Sequence, residues 1–420
     1  MGAVSDPPGA RRVNTDHTFV VIGCGGIGSA ALYWLSRAAA PYGSVLGLER
    51  HTPGHEHRAG GEHSRVVRHA RHQDAYAALA PAAYKTWRQI ECLSGQHLVT
   101  EAGGLVIEDV DARRGIDTGS RTVEGHLEVA ARHGVEVEQL DAEALTARWP
   151  QFRLHGSERA VYQRHCGIVE ARRADATHVA LARGHGAQIR ENSPVRAVHD
   201  AGSHVEVVTD DEVYRAEHVV VAADARTNEV LGGLFAQVGR PALPLTVTQE
   251  QVTHYATPNL IDFSPERFPV FMWHGADTFH GVPVHGEVAT RLGQHMGGHE
   301  VTADSHTDEP DPLRRKRQEE FLAEHLPGFG GPELYTRTFL YTIAPDQNVV
   351  LDTVPGCPRV SVAVGAGNAS AFASLWGRIL ADLAMTGATR YPVDAFALDR
   401  PALTGPSVPR PSEQRGRTPF

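Results

Sequence analysis

The clearest hydrophobic pattern in the chain begins at Phe19. Phe19-Val20-Val21-Ile22 is a short, continuous, largely β-branched run, the signature of a strand buried on both faces. It leads into Gly23-Cys24-Gly25-Gly26-Ile27-Gly28 and then a helical stretch, Ser29 to Ala40, closed by Pro41. A second apolar strand, Val45-Leu46-Gly47-Leu48, ends in Glu49. Further strand-like runs lie at Val205-Glu206-Val207-Val208, His218-Val219-Val220-Val221-Ala222 and Val360-Ser361-Val362-Ala363-Val364. The last passes through Gly365, Ala366 and Gly367 into an apolar helix, Phe372 to Met385. Strands of parallel type spread over the whole length predict an α/β domain assembled from discontinuous pieces, the stretches between them forming a second domain. Residues 1–16 and 405–420 lack apolar periodicity and are expected to be flexible tails.

One segment mimics a targeting signal. His17 to Ser36 carries no charge, follows Arg11-Arg12 and leads to Ala38-Ala39-Ala40. Gly23, Gly25, Gly26 and Gly28 interrupt it, which suits a turn better than a continuous apolar helix. No stretch approaches the ~18 apolar residues of a membrane span. The sequence therefore predicts a soluble, cytoplasmic protein.

Composition narrows the function. The 420 residues suit two domains, and 41% hydrophobic against 21% charged residues suffices for sizeable cores. Forty basic and 50 acidic residues leave a net charge of −10, which argues against nucleic acid and anionic membranes as partners. Cys24, Cys92, Cys166 and Cys357 are scattered, so neither a disulfide framework nor a cysteine-rich zinc site is expected.

The glycine run gains meaning from its context. A strand precedes it, a helix follows, and Glu49 ends the next strand. Gly23 permits the tight turn, Gly25 lets the backbone approach a pyrophosphate, and Gly28 lets the helix pack closely on the strand. The helix N-terminus favours phosphate charge, and Glu49 can accept hydrogen bonds from a ribose. After Glu49, His51 to His72 holds six histidines and four arginines. The cluster His55-Glu56-His57 suggests a metal, but its spacing fits no zinc motif and no metal is expected. A basic, glycine-containing loop behind a ribose-binding strand better suits a flavin cradle.

The chain resembles the monomeric sarcosine oxidase and N-methyltryptophan oxidase group of FAD-dependent amine oxidoreductases, within the D-amino-acid oxidase superfamily. The resemblance runs from Phe19 to Leu403. Its landmarks are Gly23 to Gly28, Ser64-Arg65-Val66-Val67-Arg68-His69-Ala70, Arg148-Trp149-Pro150 and Gly167-Ile168-Val169. Leu292-Gly293-Gln294-His295, Leu340-Tyr341-Thr342 with Pro345-Asp346, and Arg400-Pro401-Ala402-Leu403 complete them. The resemblance implies a doubly wound, Rossmann-type FAD domain of residues 17–85, 155–235 and 335–400. A substrate domain of α+β type with a mixed sheet would take 86–154 and 236–334.

It also implies hydride transfer from an amine-bearing carbon to flavin N5, imine hydrolysis, and reoxidation by oxygen or another acceptor. The implied cofactor contacts are Gly23, Gly25, Gly26, Gly28, Glu49, Arg50, Ser64, Arg65, Val195, Gly365 and Gly367. Arg68 matches the arginine that holds a substrate carboxylate, a task suited to a guanidinium fork. His295 and Tyr341 match pocket residues that tune and orient the amine. Partners are then a small amine and an electron acceptor, in a monomer or homodimer.

The departures are informative. Phe339 stands where covalently flavinylated members have cysteine, so FAD is expected to be non-covalent; a histidyl link through His57 or His63 is the other possibility. Arg291 stands where the oxidases keep the lysine that helps activate oxygen, which makes a dehydrogenase credible. Ala373 falls near a second carboxylate-binding lysine. Ala223-Asp224-Ala225-Arg226 replaces a glycine-and-tryptophan turn, and Asp224, repelled by phosphate, is expected to point away or pair with Arg226. Two alternatives stand beside amine oxidation. One is a flavin monooxygenase, disfavoured by Gly365-Ala366-Gly367-Asn368 in place of a Gly-Asp element. The other is a degenerate FAD-binding scaffold.

Overall fold

The computed structural model describes residues 12–41, 43–52, 54, 64–68, 72–113, 121–365 and 370–405. The strand begun by the Phe19 run spans Arg12–Ile22 and lies at the centre of an eight-stranded sheet. It therefore starts inside the stretch that composition marks as a loose lead-in. Arg12 pairs with Glu212 at the start of a long parallel ladder, a non-local contact that supplies the order the local sequence lacks.

Val45–Leu48 flanks this strand on one side and Glu212–Val221 on the other, both parallel. Gln188–Arg190 extends the first side and Val360–Val364 the second. Strand order thus reverses at the first strand, so a crevice opens beyond its carboxyl end, where doubly wound folds bind ligands. Both faces of the strand are buried. Phe19 and Val21 join a core with the helices Gly26–Ala39, Asp74–Ser94 and Ala373–Thr386, while Val20 and Ile22 join a second core with Thr227–Gln237. The run Val205–Thr209 is not parallel: it pairs antiparallel with both Val195–Asp200 and Glu212–Val221.

A nine-stranded mixed sheet forms the second layer. Gly104–Asp109 is parallel to Val270–His274, and its other pairings are antiparallel. Two strands expected wholly or mostly in the first domain pair elsewhere, and the second of them also crosses the boundary at 335. Glu158–Gln163 pairs with Gly104–Asp109, and Glu333–Ile343 pairs along its length with Thr246–Tyr255, so both belong to this second sheet. Alternation gives the sheet two characters. Phe271, Trp273, Phe279 and Leu292 point into an aromatic core with Phe263, Phe321 and Phe329. Met272, His274, His280, Arg291 and Gly293 fall on the opposite face. A third sheet of three antiparallel strands carries Ser64–Arg68 against Cys166–Glu170. Among the described residues, no helix is long and apolar enough to cross a membrane.

Candidate active site

A cavity of about 560 Å³ lies at the end of the first strand. Gly23, Gly25, Gly26, Glu49, Arg50, Val195 and Asp224 are among its lining residues. Gly23 has φ +83°, and a Cβ there would stand 2.4 Å from the Ala222 carbonyl oxygen. At Gly28 a Cβ would lie 1.7 Å from the Gly23 carbonyl oxygen, so helix and turn approach as closely as only glycine allows. Gly25 is different: a Cβ there would meet nothing within 4 Å and would simply occupy cavity. Gly25 caps the helix Gly26–Ala39 without a side-chain hydrogen bond, and the first turn holds no acid. Its amide groups are thus left for an anion. The buried Glu49 carboxylate accepts from the Cys24 amide at 2.7 Å and the His51 amide at 3.1 Å. A carboxylate in this position can also accept from ribose hydroxyls.

These features fit a dinucleotide, and the buried phenylalanine at 339 leaves no thiol there for a thioether to a flavin. Arg65 and the Ser64 backbone lie on the third sheet. Gly367, His57 and His63 lie outside the described residues. Gly365, with φ +94°, lines a second, narrow cavity instead, together with His295, Met296, Tyr341, Thr342 and Gln347.

Asp224 departs from expectation. It neither points away nor pairs with Arg226, whose guanidinium bonds Glu229 at 2.7 Å and pairs with Asp304 across the cavity wall. The reason is backbone geometry: at φ +45°, the left-handed value, Asp224 turns its carboxyl into the cavity. Among the described residues its Oδ2 and the Thr342 Oγ1 beside it are buried without a hydrogen bond of normal geometry. Burial pushes the carboxyl up to about 6, although the nearby Thr342 hydroxyl and Ala225 amide favour its charged form. Ala373 also departs from expectation. It lines the cofactor cavity against Gly26, not the narrow cavity.

The narrow cavity collects the second sheet's polar face. His295 and Tyr341 stand edge to face with ring centroids 6.3 Å apart, and His280 lies 6.3 Å from His295 on its other side. Tyr341 also meets Phe339 edge-on at 5.3 Å. A Cβ at Gly293 would lie 2.5 Å from the His280 ring, so that glycine makes room for the imidazole. Burial, then the charges of His280, Arg121, Arg68 and Arg314, push His295 down to about 3. His280 falls to about 3 through burial and then Arg291, and His274 is held well below its ordinary value mainly by burial. These imidazoles are neutral near pH 7.

Arg68 ends its strand opposite Cys166, and its charge acts on both His274 and His295. Among the described residues its guanidinium has neither a hydrogen bond nor an acidic partner. Burial lowers its proton affinity accordingly. Arg121 also has no acidic partner; it bonds the Gln347 amide oxygen at the rim of the narrow cavity. Arg291 is buried on Thr290–Gln294 beside His280.

The surrounding frame is rigid. Arg314 donates to the Gln294 carbonyl and to Glu250, both at 2.7 Å, fixing the strand end before His295. Arg400 clamps Asp346 through two bonds of 2.8 and 3.0 Å, fixing the turn that presents Gln347. Sequence reasoning missed His274, His280, Arg121 and Gln347. The period-two alternation around Phe271, Trp273 and Phe279 was the available signal for the two histidines.

The comparisons with known proteins agree with this geometry. The family model described as FAD dependent oxidoreductase matches residues 18–383. A monomeric sarcosine oxidase from Streptomyces avermitilis is 29% identical over 90% of this chain and 96% of its own. An N-methyl-L-tryptophan oxidase from Citrobacter koseri is 27% identical over 91% and 99%. Among solved structures, the open form of NikD, an unusual amino acid oxidase essential for nikkomycin biosynthesis, superimposes with a TM-score of 0.79. It is 25% identical, over 91% of this chain and 98% of that one.

Proposed function

Because the chain belongs to the family of FAD-dependent oxidoreductases, we propose that it oxidises the C–N bond of a secondary amine or amino-acid-like metabolite that carries an anionic group. The carrying observation is Arg68, a guanidinium without an acidic partner among the described residues, next to neutral His274 and His295. A half-buried cation without a counter-ion among the described residues favours an anionic ligand. The relatives named as sarcosine and N-methyl-L-tryptophan oxidases act on such amines, which supports the same substrate class here.

Bound FAD supplies the acceptor for a hydride from the amine-bearing carbon and passes the electrons to oxygen or another acceptor. The chain's residues do the rest. Arg68 holds the carboxylate and so fixes which C–H faces the flavin. An N–H of neutral His295 donates to the amine nitrogen, and the cationic Arg68 and Arg121 near it disfavour an ammonium there, which together favour the unprotonated amine needed for oxidation. The Tyr341 hydroxyl orients the substrate from the neighbouring strand, and Phe339 walls off water beneath it. Arg291 keeps a positive charge near the site. It lacks the compact ammonium of lysine, and this supports an acceptor other than oxygen as a second reading. All four cysteines are free, in keeping with action in the cytoplasm as a monomer or homodimer.

The test is an anaerobic screen of the purified holoprotein against amines with and without a carboxylate, read by bleaching of the visible flavin bands. Carboxylated secondary amines are expected to bleach it. Arg68→Gln is expected to lose about 3 kcal/mol, roughly a hundredfold in kcat/KM, with FAD content unchanged. Bleaching by no amine would refute the reading, and an unchanged kcat/KM in Arg68→Gln would refute the role of Arg68.

A further inference from the structure

Outside both cavities, three side chains from two segments far apart in sequence converge on one point of the second layer. Helix Pro312–His325 ends at Glu324 and His325, and the turn before strand Glu158–Gln163 brings His155 against them. His155 Nε2 lies 3.6 Å from Glu324 Oε1, and His325 Nε2 lies 3.8 Å from Glu324 Oε2. All three ligand atoms fall within 4.8 Å of one another. The two imidazoles stand nearly perpendicular, at 76°, with centroids 5.4 Å apart, so each turns an edge nitrogen to the shared carboxylate.

We propose that His155, Glu324 and His325 form a binding site for a divalent transition-metal ion of the zinc class, completed by water. Two imidazoles and one carboxylate are a zinc-type donor set, with metal–ligand distances of about 2.0–2.2 Å. A tetrahedral site at those distances places ligand atoms about 3.4 Å apart, a few tenths of an ångström less than the two spacings measured here. The exposed His155 and Glu324 side chains can close that gap by small rotations.

Both arms are already fixed. Glu158, itself buried, accepts from the His155 amide at 2.9 and 3.0 Å and from the Gly156 amide at 2.8 Å. The Arg153 amide donates to the His325 carbonyl at 2.8 Å, tying the turn to the helix end. The His325 ring is wedged against Trp273 at 4.4 Å and Phe321 at 5.3 Å, which sets its direction. The site also sits at the carboxyl end of a helix, whose carbonyl dipoles favour a cation. None of the three residues lines the cofactor cavity or the narrow cavity, so the ion would brace the substrate layer and take no part in the redox chemistry.

The test uses metal-stripped holoprotein titrated with zinc, read by calorimetry and thermal unfolding, with cobalt as a visible probe. Wild type is expected to bind one more equivalent than His155→Ala or Glu324→Ala, and only wild type should gain the corresponding rise in Tm. Cobalt should give ligand-field bands that both variants lose, with affinity at this equivalent weakened at least tenfold. Because the chain holds 25 histidines, other zinc sites are expected to survive in all three proteins and cancel in the comparison. Equal stoichiometry and equal Tm gain in wild type and both exposed-residue variants would overturn the site.

Discussion

Replacing Asp224 with asparagine is expected to stabilise the apoprotein above pH 3.8, by a gain that grows until pH passes about 6. Burial raises this carboxyl from 3.8 to about 6. The folded chain therefore binds the proton more tightly than the unfolded chain does. The favourable contribution is complete below pH 3.8 and is lost as pH rises through the folded value. About two pH units at 1.36 kcal/mol each give a penalty of roughly 3 kcal/mol at pH 8. Asparagine removes the ionisation, keeps the shape and tolerates the left-handed backbone at φ +45°. Urea unfolding of apoprotein at pH 4.5 and pH 8 reads the effect: the variant should gain up to about 3 kcal/mol at pH 8 and only about 1 kcal/mol at pH 4.5. A dianionic pyrophosphate in the same cavity raises the carboxyl further. FAD binding by wild type should therefore take up a proton and weaken from pH 6 to pH 8, while the variant's should not. A variant less stable than wild type at pH 8, or a gain equal at both pH values, would refute the reasoning.

Four further outcomes follow from the site. Gly25→Ala should leave apoprotein stability within about 0.5 kcal/mol, because its Cβ meets nothing, yet weaken FAD binding measured by flavin fluorescence. Gly28→Ala drives a Cβ onto backbone and should cost at least 2 kcal/mol in urea. His295 is neutral down to about 3, so the pH profile of kcat/KM should show no limb from it above pH 5. His295→Gln should lower that profile without reshaping it; an acid limb that vanishes in the variant would count against the assignment. Arg291→Lys should raise the rate of flavin reoxidation by oxygen, measured by stopped flow after anaerobic reduction, with amine reduction little changed.

The cofactor site was legible because its parts are local. Strand, glycine turn, helix and Glu49 lie within one short stretch, and each residue's role follows from turn geometry and charge. The substrate site was half legible. Arg68, His295 and Tyr341 came from matching landmarks, and the structure brings His295 and Tyr341 to one cavity with the charge of Arg68 acting on it. His274 and His280 show locally only as the polar positions of an alternating pattern, and Arg121 not at all; that they meet is decided once strands distant in sequence have paired. Asp224 was misjudged for a related reason. Electrostatics alone argued that it should turn away, but the direction was set by one left-handed backbone angle. The expected segment boundaries at 155 and 335 likewise cut off strands whose partners could not be read from periodicity.

The central strand, Arg12–Ile22, has a consequence for how the protein is made. It leaves the ribosome first among the described elements, together with its neighbour Val45–Leu48, but its other neighbour, Glu212–Val221, follows much later. The next strand in that direction, Val360–Val364, comes later still. At about 5–20 residues per second, roughly 20–70 s separate the first strand from the last. During that interval a nascent chain displays two apolar strand faces and an unpaired edge, the features that chaperones recognise. A premature stop before Val360 therefore does more than shorten a tail. It leaves Val219, Val220 and Val221 without their neighbouring strand and the sheet that holds the glycine turn unfinished, so C-terminal truncation should be read out first as aggregation and only afterwards as lost activity.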